Sequence, residues 1–462
     1  MGKYPAWGRV TKTKGQGLPA TAEDRLGAIK ADKERYPRWT LAMMEALPAL
    51  EAQGRKWFQL YDKIADEKTL AAAWERIDKR MAGDARKRGA GPDGVTVEMF
   101  AAVSGVELGK LCKELKEDRY KPSPVRRHYI PKPGSGKMRP LGLPTIRDKV
   151  VQEATRGIIE PIWEARFLNA SHGFRPGRSA DSACREMEGH LSNAKVWVVD
   201  ADIKGCFDNI PHETIIDLIA KRISDGKVIR LIRSMLEAGV MEEMRVRRTD
   251  TGTPQGGIIS PLLCNIVLHE LDAAMQRAGI ACVRYADDFV LLCNEREGAE
   301  AALETAKAAL AAMGLEISRE KTRIVHLDEG FDFLGWHYQG KQRWPRASSV
   351  KNLKAKIKAK TRRNRPGGIE AIAEELEPLL RGWFNYFRNG NSLNIFAMID
   401  GWLRRRLRSI LKKRRKSHSG ISSLLDNIRW PIKFFQDKGL FSFIQHLDVF
   451  RKMGLSTLPV GR

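Results

Sequence analysis

The sequence lacks the features that would send a chain into a membrane or an oxidising compartment. No apolar run approaches the roughly 18 residues that a spanning helix needs. The N-terminus has no signal-peptide apolar segment, and Ala6 breaks the myristoylation pattern after Met1-Gly2. A cytoplasmic, nucleoid-associated protein is expected. Six cysteines (Cys112, Cys184, Cys206, Cys264, Cys282 and Cys293) form no Cys-x-x-Cys pair. That excludes a zinc ribbon or disulfide framework and predicts reduced, mostly core thiols. A P-loop is missing too: Pro131 stands where the first glycine belongs before Gly136-Lys137, and Met138 replaces the Ser/Thr. Acidic residues are also short, 56 against 81 Lys+Arg in 462 residues, for a net charge of +25. This favours a polyanionic partner, most commonly nucleic acid, with a membrane surface as the rival. At 42% apolar, the chain can build two or three domains of about 100–200 residues.

Against this basic background two acidic stretches stand out. Val283-Arg284-Tyr285-Ala286-Asp287-Asp288-Phe289-Val290-Leu291-Leu292 carries two adjacent carboxylates between apolar runs, a β-hairpin with its tip near Ala286-Asp287. A core would not choose neighbouring aspartates, since burying unpaired charge is costly. At a hairpin tip they suit hard cations, although a solvated Asp-rich turn has the same pattern. The second stretch, Lys195 to Ile203, puts Val196, Val198, Asp200 and Asp202 on one strand face. If it lies beside the hairpin, Asp202 and Asp287 can share two divalent ions roughly 3.5–4 Å apart, the chemistry of nucleotidyl transfer.

Tyr285-Ala286-Asp287-Asp288 resembles the YxDD motif of reverse transcriptases. Asp202-Ile203-Lys204-Gly205-Cys206-Phe207-Asp208-Asn209-Ile210 resembles their first aspartate motif, and Thr253-Pro254-Gln255-Gly256-Gly257-Ile258-Ile259-Ser260-Pro261 the segment between. All three follow the family's order. Across roughly residues 60–450 the wording is similar to group II intron-encoded reverse transcriptase/maturases. The resemblance implies an α+β right-hand polymerase: an N-terminal extension (1–56), fingers (57–195), palm (196–340), thumb/maturase domain (341–420) and a DNA-binding-like tail (421–462). The family's optional endonuclease domain uses Cys and His near the C-terminus. No cysteine follows Cys293, so that domain is expected to be absent.

Site roles follow from the same resemblance. Asp202, Asp287 and the Ile203 carbonyl are the expected ligands of two Mg²⁺ ions, with Asp288 a weaker ligand and Asp200 and Asp208 in support. Gly91-Pro92-Asp93-Gly94 resembles the turn opening the fingers. Residues 126–141 read as a basic hairpin, on which Lys132 and Arg139 match the family's triphosphate contacts. Ser171-His172-Gly173-Phe174-Arg175-Pro176-Gly177-Arg178 resembles the template-contacting segment, with Arg175 and Arg178 as backbone contacts. Phe207 occupies the steric-gate position, Gln255 the nucleotide pocket, and Lys321 matches a lysine proposed to protonate the pyrophosphate leaving group. Two of these have a plainer alternative: Phe207 as a core aromatic and Lys321 as a surface lysine. Phe331-Asp332-Phe333-Leu334-Gly335-Trp336 resembles the primer grip.

From Lys351 to Gly420 there are 19 Lys/Arg against 5 Asp/Glu, more than half of the net charge. Helices are expected over 353–363, 369–388 and 393–415, with Pro378 able to split the second and Pro161 able to end one over 148–167. Arg404, Arg405, Arg406, Arg408, Lys412, Lys413, Arg414 and Arg415 ring the last helix, which points to phosphate contact and salt-sensitive binding. Arg381 to Phe387 resembles the maturase thumb motif, its aromatics expected mainly in core packing.

The expected function is RNA-directed DNA polymerase plus splicing maturase and support of intron mobility. Its partners would be intron RNA, RNA template with DNA primer, dNTPs and target DNA. Two alternatives stay open: a same-branch polymerase domesticated for defence or spacer acquisition, and an RNA-binding splicing cofactor with a vestigial site.

Overall fold

The computed structural model describes residues 56–82, 89–131, 138–193, 195–242, 245–247, 250–253, 256–415 and 424–453. The expected N-terminal extension, apart from Lys56, lies outside the described residues, as do Lys132 and Gln255. The chain divides into two compact units at Val325/His326. The division precedes the palm end expected at 340, so residues 331–345 cluster with the thumb helices.

The first unit opens with helices α1 (Tyr61–Ile64), α2 (Glu67–Met81), α3 (Val97–Ala102) and α4 (Ser104–Lys116). Asp66 caps α2 by accepting from the Thr69 amide, and Leu70, Ala73, Trp74 and Ile77 make its buried stripe. Strands β1 (Val125–Pro131) and β2 (Met138–Leu143) form the expected antiparallel hairpin, in register from Arg126↔Leu143 to Pro131↔Met138. Helices α5 (Ile146–Glu164) and α6 (Ala180–Ser192) lead to β3 (Trp197–Asp202). Then come α7 (Cys206–Asn209), α8 (His212–Ala220), α9 (Gly226–Glu237), β4 (Val240–Glu242) and β5 (Arg245–Arg247). Helix α10 (Ser260–Arg277), β6 (Ala281–Tyr285), β7 (Asp288–Cys293), α11 (Arg296–Ala311) and β8 (Arg323–His326) complete the run.

Two four-stranded sheets result. One has the order β2-β1-β4-β5, so the hairpin expected as a two-stranded unit gains β4 as a parallel neighbour. The other, β6-β7-β3-β8, holds the two acidic stretches side by side. Its strands are apolar because α11 packs on β7 and β3 and α10 on β6, burying Val198, Val199 and Phe289 to Leu292. Helix α5 runs through Pro161 to Glu164 without ending early, since a proline this close to the C-terminus removes a single hydrogen bond.

One candidate contact is corrected here. Arg175 is buried, donating to Glu164 at 2.6 Å and to the carbonyls of Leu168 and Ser171 at 2.7 Å each. A guanidinium engaged in this way has no donors left for a template backbone. Arg175→Ala would strand Glu164 in the interior. It is expected to lower stability by about 3–5 kcal/mol, measurable as a fall in denaturant midpoint.

The second unit begins with a meander of β9 (Phe331–Phe333), β10 (Trp336–Gln339) and β11 (Gln342–Pro345), order β11-β10-β9. Phe331, Phe333 and Trp336 of the expected primer grip are buried, with Phe331 stacked on Tyr338 at 5.3 Å. Helices α12 (Ala347–Lys360), α13 (Ile369–Phe387) and α14 (Leu393–Arg414) follow. The first starts and ends earlier than its periodicity suggested. Pro378 does not split α13, whose apolar face (Ile372, Leu376, Leu380, Phe384, Phe387) stays continuous and buried. Helices α15 (Leu424–Arg429), α16 (Ile432–Asp437) and α17 (Phe443–Lys452) close the unit.

Phe384 and Phe387 of the maturase-like stretch are buried and Trp383 packs beside them, while Tyr386 is exposed. Trp383 meets Phe387 at 4.5 Å and Phe443 at 5.6 Å, and Phe384 meets Phe396 at 5.6 Å and Phe441 at 5.8 Å. Phe441 and Phe443 come from the stretch expected to be a DNA-binding-like tail. Here they belong to the core, tied down where Asp400 accepts from Ser442 and from the Phe443 and Ile444 amides.

Candidate active site

The β6–β7 hairpin turns at Ala286-Asp287, and its return strand pairs with β3 so that Asp202 lies directly opposite Asp288. Directly paired residues project from the same face, and like charges placed so destabilise a sheet. Asp287 sits at the tip, and its carbonyl accepts from the Ile203 amide at 3.4 Å. Burial raises the Asp287 pKa most, and the neighbouring Asp202 charge raises it further. The positive charges of Arg139 and Lys321 pull the other way. The four groups share one electrostatic neighbourhood although 148 residues separate Arg139 from Asp287 along the chain.

Lys321 reaches this point because residues 316–318 run along the end of β3. Ile203 bridges Ile317, the Ser318 amide donates to the Asp202 carbonyl at 2.8 Å, and the Lys321 amide donates to Ser318. The lysine Nζ then donates to Asp202 Oδ1 at 2.6 Å. Asp200, one step back on the same strand face, accepts from Arg323 at 3.1 Å. Asp208 is exposed.

Phe207 stands just beyond β3, half-buried, with its carbonyl accepting from the Thr253 amide at 2.7 Å. The Gly-rich segment is thereby laid against the Phe207 loop. Further along it, Gly256 has φ +119, and a Cβ there would fall 2.4 Å from the Gly142 carbonyl oxygen. Only glycine allows this approach to β2, the hairpin strand that carries Arg139. The Gln152 side chain also accepts from the Ile258 amide at 2.8 Å.

Among the described residues, no three His, Cys, Asp or Glu side chains cluster as a metal cage. The candidate donors at the turn are Asp202, Asp287, Asp288 and the Ile203 carbonyl, all oxygens. Hard divalent ions take oxygen ligands and leave positions to water and phosphate. A buried carboxylate that resists ionisation, with a second carboxylate beside it, fits that group, because a cation offsets both the burial and the repulsion.

The basic helix α14 does not use its charges uniformly. Arg408 is buried and donates twice to the Trp430 carbonyl, at 2.8 and 3.0 Å, and Lys412 pairs with Asp426 at 2.9 Å. Both are corrected from phosphate contacts to internal ties. Arg406 donates to Thr361 Oγ1 and carbonyl at 2.9 Å, and Arg414 to the carbonyls of Arg365 and Gly367. Arg405, Lys413 and Arg415 are exposed and Arg404 half-buried. In the first unit Arg178, half-buried, binds the Asn169 carbonyl and side chain at 2.8 and 2.7 Å.

The region matching the reverse transcriptase (RNA-dependent DNA polymerase) family spans residues 130–338, which contain Asp202, Ile203, Asp287 and Asp288. The maturase-specific domain of group II introns matches residues 350–426. The chain is 36% identical over 284 residues to protein YkfC of Escherichia coli K12, covering 53% of this chain and 74% of YkfC. This chain belongs to the group II intron-encoded reverse transcriptase/maturase family. Its architecture is accordingly that of the right-hand polymerases. Group II intron-encoded protein LtrA of Lactococcus lactis subsp. cremoris is 49% identical over 185 residues, 40% of this chain but 31% of LtrA. The chain therefore spans about a third of that relative. A telomerase structure from Candida albicans, in complex with a telomeric RNA fragment, overlays at TM-score 0.39 with 14% identity, covering 72% of this chain and 68% of that one. That likeness is too loose to carry weight. Reverse transcriptases as a family use divalent metal ions, in keeping with the oxygen donor set. Among the described residues no helix is long and apolar enough to cross a membrane.

Two residues of this family member escaped sequence reasoning. Phe174, half exposed at φ +60, meets Phe207 edge-on at 6.4 Å. Arg284, fully buried, underlies the acidic turn. A lone arginine inside the apolar strand Ala281–Tyr285 was the available signal, because such a charge survives only when paired.

Proposed function

We propose that this protein is an RNA-directed DNA polymerase that copies an RNA template from a DNA primer using dNTPs and Mg²⁺. We further propose that it grips its own intron RNA as a splicing maturase and engages target DNA in intron mobility. The observation that carries the polymerase reading is the convergence of Asp202 and Asp287 from separate strands, with Lys321 on one and the Arg139 charge acting on the other. Two Mg²⁺ ions held by Asp202, Asp287 and the Ile203 carbonyl would activate the primer hydroxyl and neutralise the leaving phosphate. Asp288 would assist as a weaker ligand.

The chain's own groups do the rest. Arg139, exposed on the hairpin strand, offers a bidentate fork to the triphosphate, and Lys132, outside the described residues, would add a second positive charge. Lys321, exposed at the mouth, can hand a proton to the departing pyrophosphate. Phe207 lies under the sugar, with Gln255 shaping the same pocket, and its ring would collide with a 2′-hydroxyl.

The test is primer extension on an RNA template. Full-length cDNA with dNTPs and Mg²⁺ supports the proposal, and a folded protein that extends only with rNTPs sinks it. Phe207→Val is expected to relax the preference for dNTP over rNTP by roughly 100-fold, scored as the ratio of kcat/KM values. An unchanged ratio would remove Phe207 from the gate.

A further inference from the structure

The acidic turn is held from beneath by a network that the chemistry above does not use. Arg284 is fully buried, and its Nε and Nη2 donate to the two oxygens of Asp272 at 2.7 and 2.6 Å. Both side chains of the pair are 0% exposed. The remaining donors are also engaged. Nη1 donates to the Ala286 carbonyl at 2.9 Å and to Asn265 Oδ1 at 3.0 Å, and Nη2 to Ser171 Oγ at 2.8 Å. Asn265 and Asp272 stand seven residues apart on α10, two turns along one face, and so present both acceptors to a single guanidinium.

The same place is clamped by backbone. The Arg284 amide donates to the Ala170 carbonyl at 2.7 Å, and the His172 amide to the Arg284 carbonyl at 2.9 Å. Asn265 Nδ2 donates to the Gly173 carbonyl at 2.8 Å. Gly173 lies so close beneath the turn that a Cβ there would be 2.4 Å from the Ala286 nitrogen. Above all this, Ala286 holds φ +61, a left-handed conformation that non-glycine residues seldom take. Such strain persists only where the surroundings over-determine it.

We propose that Arg284 is the positioning residue of the acidic turn: clamped by Asp272 and Asn265, it holds the Ala286 carbonyl and so sets where the Asp287 carboxylate stands. This rests on the polymerase reading above. A buried ion pair contributes little net stability compared with apolar residues of similar size. What the guanidinium adds is geometry, since its planar fork holds one backbone carbonyl at a fixed distance from a rigid helix. Misplacing a reacting group by about 1 Å is enough to slow chemistry roughly 100-fold.

The test is the double variant Arg284→Met/Asp272→Leu, which removes both charges together and leaves neither stranded. Its melting temperature is expected to fall less than that of Arg284→Met alone, because no charge is stranded and the loss is limited to the Ala286 and Asn265 acceptors that Arg284 served. The single-turnover rate of nucleotide addition should fall about 100-fold, with dNTP KM and primer–template Kd within about threefold. Mn²⁺ affinity, read by electron paramagnetic resonance without substrate, should fall about tenfold, the range for losing a group that orients a ligand. Gly173→Ala leaves the ion pair intact, pushes on Ala286 directly, and should reproduce the rate loss at unchanged KM. A folded double variant with wild-type rate and Mn²⁺ affinity overturns the assignment, as does a loss confined to KM or primer–template binding. Should the double variant fail to fold, wild-type rate and Mn²⁺ affinity in Arg284→Lys, which keeps the charge beside Asp272 but loses the fork that reaches the Ala286 carbonyl, overturn it equally. If the wild-type protein itself does not copy RNA, the polymerase reading fails, and Mn²⁺ affinity alone still decides whether Arg284 places the carboxylate.

Discussion

Asp287→Asn is expected to slow primer extension by roughly 10³-fold or more, on the scale of removing a group aimed at transition-state charge, while RNA binding stays unchanged. The amide keeps the shape of the carboxylate, removes its charge and turns one acceptor oxygen into an N–H donor. Stability should move the other way. Burial and the Asp202 charge raise the pKa of Asp287 above its unfolded value. The folded state therefore binds this proton more tightly, and ionisation at neutral pH opposes folding. Neutralising the group removes that opposition, so the metal-free variant should melt no lower than wild type in EDTA. Wild-type extension by the variant would exclude Asp287 from the chemistry. A lowered melting temperature would show that its charge is satisfied by the fold itself.

Neutralising Arg404, Arg405 and Lys413 together is expected to weaken RNA binding steeply and flatten its salt dependence. Each phosphate released from a single strand lowers the log–log salt slope by about 0.7, so three lost contacts lower it by about 2. Polymerase turnover on saturating primer–template should persist. Arg408→Gln and Lys412→Gln serve as the contrast. These residues bind the Trp430 carbonyl and Asp426 inside the unit, so their loss should lower melting temperature while the slope holds. Filter binding across a salt series separates the two classes. Equal slopes for the triple variant and wild type would move the RNA grip elsewhere.

The two sets of residues look alike in sequence, and the difference shows what a linear reading can reach. Asp202 and Asp287 stood out because a carboxylate at the end of an apolar strand contradicts its surroundings, and the structure brings the two strands side by side. The hairpins at 125–143 and 281–293 were legible because strand alternation and turn residues are local signals. Arg175, Arg408 and Lys412 were misjudged because a basic residue's neighbours come from distant segments. Glu164 and Asp426 turn these charges inward, and nothing within a few residues announces it. Pro161 and Pro378 read as helix breakers by local rule, yet burial along α5 and α13 outweighs one missing hydrogen bond each.

By itself the sequence determined the family, through its ordered motifs, and with it the class of fold, and it singled out the acidic residues proposed for the chemical centre, since short motifs and strand periodicity are local signals. Tertiary structure alone decided that Arg139 and Lys321 act on the same carboxylates, which arginines serve the interior, and that Arg284 supports the turn. The physical reason is range. Secondary-structure preference acts over a handful of residues, whereas a charge is read by whatever folding brings within a few ångströms of it.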